Sequence, residues 1–287
     1  MTDKPTAPKP PSRPRPPAKP PGQTKKTSRV RPSEVAFGKI ASNVGRRVGL
    51  YGPGGIGKTT LAAMTPGPVA FFDLDDSLPV LASQLPEGLD LRVIDDARDW
   101  QGMRDMLHAP GWDKIRTIAI DSATKAQELC VAWVLANVPG DNGQKIERLE
   151  DYGWGKGYTH VYEAFLTLLG DLDSHVRAGR NVLLTMHDCT SNVPNPTGND
   201  WIRFEPRLQA PSSGKASIRL RVREWLDHLL FVGYDVAVNK DGKAQGAGSR
   251  TMYPVELPHC MAKSRSLYEP RVVEFQAPAT WEGVFGG

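Results

Sequence analysis

Beyond about residue 45 the chain alternates short apolar runs with longer stretches in which apolar residues recur every three or four positions. The runs at 47–51, 69–73, 91–94, 115–120 and 181–186 have strand length and few polar residues, which predicts strands buried on both faces. Helical periodicity between them predicts crossover helices, so the expected architecture is α/β, a mostly parallel sheet flanked by helices. The longest periodic stretch, 158–176, puts Val161, Tyr162, Phe165, Leu168, Leu169, Leu172 and Val176 on one stripe, which reads as core. Strands at 229–238, 251–257 and 271–275, with Asp241-Gly242 as a turn, predict an antiparallel β extension over 228–287.

Between the first apolar run and a helix expected over 59–64 stands Gly52-Pro53-Gly54-Gly55-Ile56-Gly57-Lys58-Thr59, a full G-x-x-x-x-G-K-[ST] phosphate loop. Its glycines let successive N–H groups point inward around a β-phosphate, and the helix start adds its positive dipole end. Lys58 supplies a mobile charge for the β- and γ-phosphates, Thr59 a hydroxyl for Mg2+, and Thr60 a further hydroxyl near the α-phosphate. Gly52, Gly54 and Gly57 also satisfy G-x-G-x-x-G, and Asp73 stands where a dinucleotide fold places its ribose carboxylate. That rival leaves Lys58-Thr59-Thr60 unexplained. The expected ligands are therefore ATP and Mg2+.

The run ending at Asp121 closes a buried strand with a carboxylate. Downstream of a phosphate loop, Asp121 reads as the metal-site acid facing Thr59; the plainer reading makes it the N-cap of a helix over 123–136. Asp73, Asp75 and Asp76 crowd another strand end. Asp75 is the first candidate to position an attacking water, and the same acids equally suit the cap of a helix over 77–84. The run at 181–186 leads into His187, which lies beside the expected γ-phosphate and joins Lys58 and Asp75 as a catalytic candidate.

At 287 residues and 39% apolar content the chain can bury a full core. No apolar run is long enough to span a bilayer, and the start shows no signal-peptide pattern, so a soluble protein is expected. Cys130, Cys189 and Cys260 are too widely spaced for a disulfide framework, which points to a reducing cytoplasm. The first thirty residues hold nine prolines, eight Lys or Arg and one acid, Asp3. With a formal net charge of +4 overall, the basic excess lies in this stretch. It predicts an extended, disordered arm over 1–34, apart from a domain over 35–287. Such an arm either tethers nucleic acid or only solubilises.

Two segments are expected as loops: 151–158, with Trp154, and 189–217, with Trp201, Arg203, Phe204, Arg207 and Lys215. Rings interleaved with cations suit a single strand, whose bases stack while its phosphates pair with Lys and Arg. They equally suit the anchoring of long loops to the body.

Taken in order, Gly52 to Thr60, Asp73-x-Asp75, Ile118-Ala119-Ile120-Asp121-Ser122, Tyr152-Gly153-Trp154-Gly155-Lys156-Gly157-Tyr158, Val182 to His187, Glu224-Trp225-Leu226-Asp227 and Ala262-Lys263-Ser264-Arg265 carry a resemblance over about 35–275. The chain resembles phage and prophage nucleotide-binding proteins with an AAA-type, RecA-like P-loop core, some of which are single-strand annealing or recombination ATPases. The resemblance implies a Mg2+-dependent ATPase of DNA recombination, repair or replication. It would act as a homo-oligomer on single-stranded DNA, alongside other phage replication or recombination proteins. It also implies a water-activating carboxylate near position 75, commonly glutamate, where Asp75 is shorter by a methylene. Lys263 and Arg265 would reach a neighbouring subunit's γ-phosphate, the alternative being a solvated basic surface. Partition and septum-placement ATPases share Gly-Gly-Ile-Gly-Lys-Thr-Thr but carry a lysine where this chain has Pro53. Two other functions stay open: a nucleotide-gated assembly or binding protein with little turnover, and a P-loop phosphotransferase.

Overall fold

The computed structural model describes residues 37–39, 41, 43–212, 215–238, 244–275 and 278–285. The chain divides into residues 1–40 and 41–287. Of the first part only Phe37 to Lys39 are described, without regular structure, and the arm expected over 1–34 lies outside the described residues.

The described residues of the second part form ten strands: β1 (Arg47–Gly52), β2 (Val69–Asp73), β3 (Leu91–Val93), β4 (Thr117–Asp121), β5 (Asn181–Val193), β6 (Trp201–Pro206), β7 (His228–Val238), β8 (Ala244–Tyr253), β9 (Lys263–Ser264) and β10 (Arg271–Val272). Six helices accompany them: α1 (Lys58–Ala63), α2 (Leu78–Leu81), α3 (Trp100–His108), α4 (Ala123–Asn137), α5 (Lys156–Arg177) and α6 (Ile218–Trp225). The sheet runs β10-β8-β7-β1-β5-β4-β2-β3, parallel from β7 to β3 and antiparallel beyond β7. The mostly parallel α/β sheet with its antiparallel C-terminal extension is thus present.

Alternation along each central strand assigns side chains to one of two cores. Tyr51, Ile118, Ile120, Val182, Leu184 and Met186 join the face covered by α3, α4 and α5. Val48, Leu50, Ala119 and Leu183 join the face covered by α1 and the chain's end. The α5 stripe packs as the periodicity predicts: Val161, Phe165, Leu168, Leu169, Leu172 and Val176 are buried, each contributing about 1.5–3 kcal/mol. On the other face Trp281 donates its indole N–H to the Leu61 carbonyl at 2.9 Å, sealing α1 from behind.

Several elements depart from the periodicity. The segment 189–217 is not a loop throughout: β5 continues to Val193 and pairs antiparallel with β6, from Asp188↔Pro206 to Val193↔Trp201. Its polar residues hide a strand held by main-chain pairing more than by burial. Helix α6 was not marked by the pattern. The helix expected over 77–84 shrinks to α2, the strand at 251–257 becomes β8 ending at Tyr253 before Pro254, and the strand at 271–275 becomes the short β10. The Asp241-Gly242 turn lies outside the described residues.

Candidate functional site

The strand order sets β5 between the strand that feeds the phosphate loop and the strand that ends in Asp121. Their C-terminal ends therefore open on one crevice, where α/β sheets gather ligands. Gly52 is needed there for space, since a Cβ on it would stand 2.2 Å from the Val232 carbonyl oxygen of β7. Gly57 is needed for conformation and space: its φ is 100°, and a Cβ would meet the Phe275 ring at 2.3 Å. Behind the loop, Ile56 is fully buried and ties it to the sheet.

Lys58 folds back onto the loop, donating to the carbonyls of Gly52 at 2.8 Å and Pro53 at 2.9 Å. Burial draws its ammonium below the usual lysine range, opposed by the charges of Asp121, Asp188 and Asp75 and assisted by Arg207. Thr59 donates its hydroxyl to Asp121 Oδ2 at 2.6 Å, and Thr185 donates to Asp121 Oδ1. Asp121 is 3% exposed, and burial raises its carboxyl above the usual range against the pull of those two hydroxyls. The cap of α4 is Ser122, whose Oγ accepts the Lys125 N–H, so Asp121 is free of the capping task.

Asp73 does cap: its two oxygens accept the N–H groups of Ser77 and Leu78 at 2.9 and 3.0 Å. Asp75 takes a different position. The Leu74 and Asp75 amides donate to the Asp121 carbonyl at 2.7 and 3.3 Å, drawing the two strand ends together. Asp75 Oδ2 then accepts the Ser122 hydroxyl at 2.6 Å and lies 3.7 Å from His187 Nε2. The His187 imidazole is the main reason that the Asp75 carboxyl sits below the usual range. His187 is level with Gly52 in the β1–β5 register.

A cavity of about 620 Å³ joins these groups, lined by Gly54, Gly55, Gly57, Lys58, Thr59 and Thr60 on the loop side and by Asp75, Asp121, Ser122 and His187 on the sheet side. That size suits a nucleotide. The Thr59 hydroxyl and Asp121 carboxylate, already in contact, are hard oxygen donors of the kind that hold Mg2+ together with phosphates and water.

The other predicted residues separate. Lys263 donates to the carbonyls of Arg223, Glu224 and Leu226 at 3.1, 3.1 and 2.7 Å, so within this chain its ammonium closes the C-terminus of α6. Arg265 stays exposed, 3.4 Å from Asp227. Arg203 is held by Glu205 at 2.7 Å and Glu256 at 2.5 Å, in an ion-pair network with Arg219 and Arg223. Burial opposes ionisation of Glu205, yet the bonds from Arg203 and Ser191 and the charge of Arg219 hold its carboxyl below the usual range. Arg203 is therefore structural. The Arg207 amide donates to the His187 carbonyl at 2.8 Å, which puts Arg207 at the rim of the phosphate site. Trp201 is half-buried, Lys215 is exposed, and Trp154 is fully exposed at a left-handed turn with φ 51°.

Three contributors were not singled out by the sequence: Thr185, Arg250 and Phe275. Thr185 had a signal, a lone hydroxyl inside a buried apolar run; Arg250 and Phe275 had none.

Residues 44–266, more than half of the chain, match the family model described as AAA domain. No curated protein is matched by the chain. Among solved structures, the chain is similar to a prototypical ATPase from the type III secretion system of pathogenic bacteria, at 15% identity and a TM-score of 0.38. The match covers 66% of this chain and 52% of that one, so the chain spans about half the length of that ATPase. No helix among the described residues is long and apolar enough to cross a membrane.

Proposed function

Because the chain belongs to the AAA domain family, its core is that of a nucleotide-binding ATPase, and we propose that it hydrolyses ATP with Mg2+ in a cycle on single-stranded DNA. The setting is recombination, repair or replication in the cytoplasm of a bacterium or phage-infected cell. One observation carries the catalytic part: Thr59 and Asp121, 62 positions apart, meet at 2.6 Å beside Lys58. Mg2+, when bound there, neutralises phosphate charge.

The chain's own groups do the rest. Loop amides and the start of α1 hold the β-phosphate, and Lys58 leaves the Gly52 and Pro53 carbonyls for the β- and γ-phosphates. Asp75 uses Oδ1 to orient water and take its proton, since Oδ2 already accepts Ser122. Its lowered pKa keeps it ionised but makes it a weak base, so positioning is its larger contribution. His187 holds Asp75 in place. On this account Asp75→Ala cuts turnover at saturating ATP by about tenfold to a hundredfold while ATP affinity stays within about threefold. Phosphate release and equilibrium titration check this. An unchanged turnover would remove Asp75 from the mechanism and favour a nucleotide-gated switch.

The DNA part draws on Trp154, an exposed indole at the start of α5, with Arg207 and Lys215 as cations. Base–aromatic stacking is worth about 1–3 kcal/mol. Trp154→Ala is thus expected to weaken binding of a single-stranded oligonucleotide about 5- to 150-fold, and Lys215→Glu to flatten the dependence of affinity on salt. Fluorescence anisotropy at several salt concentrations measures both, with ATP turnover recorded with and without the oligonucleotide. Turnover indifferent to DNA, with binding unaffected by either substitution, would point to another partner.

A further inference from the structure

The antiparallel extension reaches the phosphate loop through two side chains. Arg250 of β8 and Phe275, just after β10, line the nucleotide cavity. The Arg250 guanidinium lies 4.7 Å from the Phe275 ring centroid and 5.5 Å from that of Tyr234, its cross-strand partner on β7. Both reach Gly57: a Cβ placed there would stand 3.4 Å from Arg250 Nη1, as well as against the Phe275 ring. Gly57 opens α1, the end at which free main-chain N–H groups favour an anion.

Among the described residues no carboxylate forms an ion pair with Arg250; Arg46, Arg98, Arg116, Arg148, Arg177 and Arg271 share this, but Arg250 is the arginine that lines the nucleotide cavity. A half-buried guanidinium facing ring surfaces is weakly compensated. A phosphate offers its planar fork two charge-assisted hydrogen bonds instead. We infer that Arg250 is a phosphate-binding cation of the nucleotide site, supplied by the same chain and stored on Phe275 and Tyr234 until a di- or triphosphate enters. Phe275 and Tyr234 are positioning residues in this arrangement. Because Arg250 pairs with Tyr234 across β7 and β8, phosphate occupancy acts on the extension as well as on the sheet core.

The inference rests on the ATP reading, and calorimetric titration of the full chain with Mg2+-ATP and Mg2+-ADP separates the two. Arg250→Met keeps the length of the side chain and much of its ring contact without the charge. It is expected to bind both nucleotides about 10- to 100-fold more weakly and with less salt dependence. Arg250→Lys recovers part of the loss, as a point charge without the fork, and Phe275→Leu weakens binding less than Arg250→Met. Melting without nucleotide confirms that Arg250→Met is folded; should it not be, Arg250→Lys and Phe275→Leu carry the comparison. Wild-type affinity and salt dependence in the folded variants would overturn the role of Arg250. Failure of the unaltered chain to bind either nucleotide would instead sink the ATP reading beneath it.

Discussion

Replacing Lys58 by alanine is expected to reduce ATP turnover by about 100- to 1,000-fold, the loss that follows removal of one preorganised charge-stabilising donor from an active site. The side chain is 8% exposed and donates only to the Gly52 and Pro53 carbonyls of its own loop. Those are bonds that it can exchange for phosphate oxygens without moving the backbone. Among the described residues the other cations near the loop, Arg207 and Arg250, approach from the rim and from the extension. The variant should therefore also lose the thermal stabilisation that saturating Mg2+-ATP confers, since a ligand stabilises only in proportion to its occupancy. Arginine is no remedy at this position, because a guanidinium is too broad for a pocket that is closed by two carbonyls. Phosphate release and melting with and without nucleotide test the expectation. Turnover within about threefold of the unaltered protein would place the chemistry somewhere other than the loop.

The second large effect concerns Asp121. Asp121→Asn is nearly isosteric: one of Thr59 and Thr185 goes on donating to the remaining carbonyl oxygen while the other turns a lone pair toward the new NH2. The packing should survive while the charge that faces the metal is lost, and turnover is expected to fall about 100-fold or more. Stability should move in the opposite direction. Burial raises the Asp121 carboxyl above its unfolded value, so its favourable contribution is complete below the unfolded pKa and is lost as pH rises through the folded one. Once ionised, the carboxylate costs the nucleotide-free chain stability that asparagine does not cost. The melting temperature of Asp121→Asn should thus exceed that of the unaltered chain, by a margin that grows from acid to neutral pH. Added Mg2+-ATP should reverse the order, because the unaltered chain recovers the cost through the metal. A variant that melts lower than the parent at every pH, or that keeps its Mg2+-dependent turnover, would show that this carboxylate is a structural group.

Both experiments rest on residues that the sequence already marks, and the reason is local. The phosphate loop is contiguous, and its strand and helix flank it directly, so Lys58 and Thr59 were legible without any tertiary information. Asp121 was legible because a buried strand ending in an acid downstream of a phosphate loop is where a metal-site carboxylate is expected, although the pattern left its capping alternative open until Ser122 was seen to fill that role. The α5 stripe was legible for the same kind of reason, since its period of three and four records which face meets the sheet. Asp73 and Asp75, two residues apart, could not be told apart by position; hydrogen bonding assigns the first to α2 and the second to Ser122, with His187 3.7 Å from it.

Charged side chains far from the motif were the hardest to assign. A lysine or arginine in a sequence carries no record of which carbonyl or carboxylate it will meet. Lys263 could be a solvated cation or a reach into a neighbour, and folding brings it to the end of α6. Arg203 could face nucleic acid, and pairing of β6 with β5 delivers it to Glu205 and Glu256. The amino-acid order by itself thus determined the α/β alternation, the two-sided burial of the central strands and the chemistry of the loop, because each is written in neighbouring residues. The tertiary structure decided which of Asp73 and Asp75 meets Ser122, which cations are already paired, and that Arg250 and Phe275 arrive at Gly57 from about two hundred residues away. Contacts of that kind follow from how strands pair in a sheet, and local periodicity does not encode pairing.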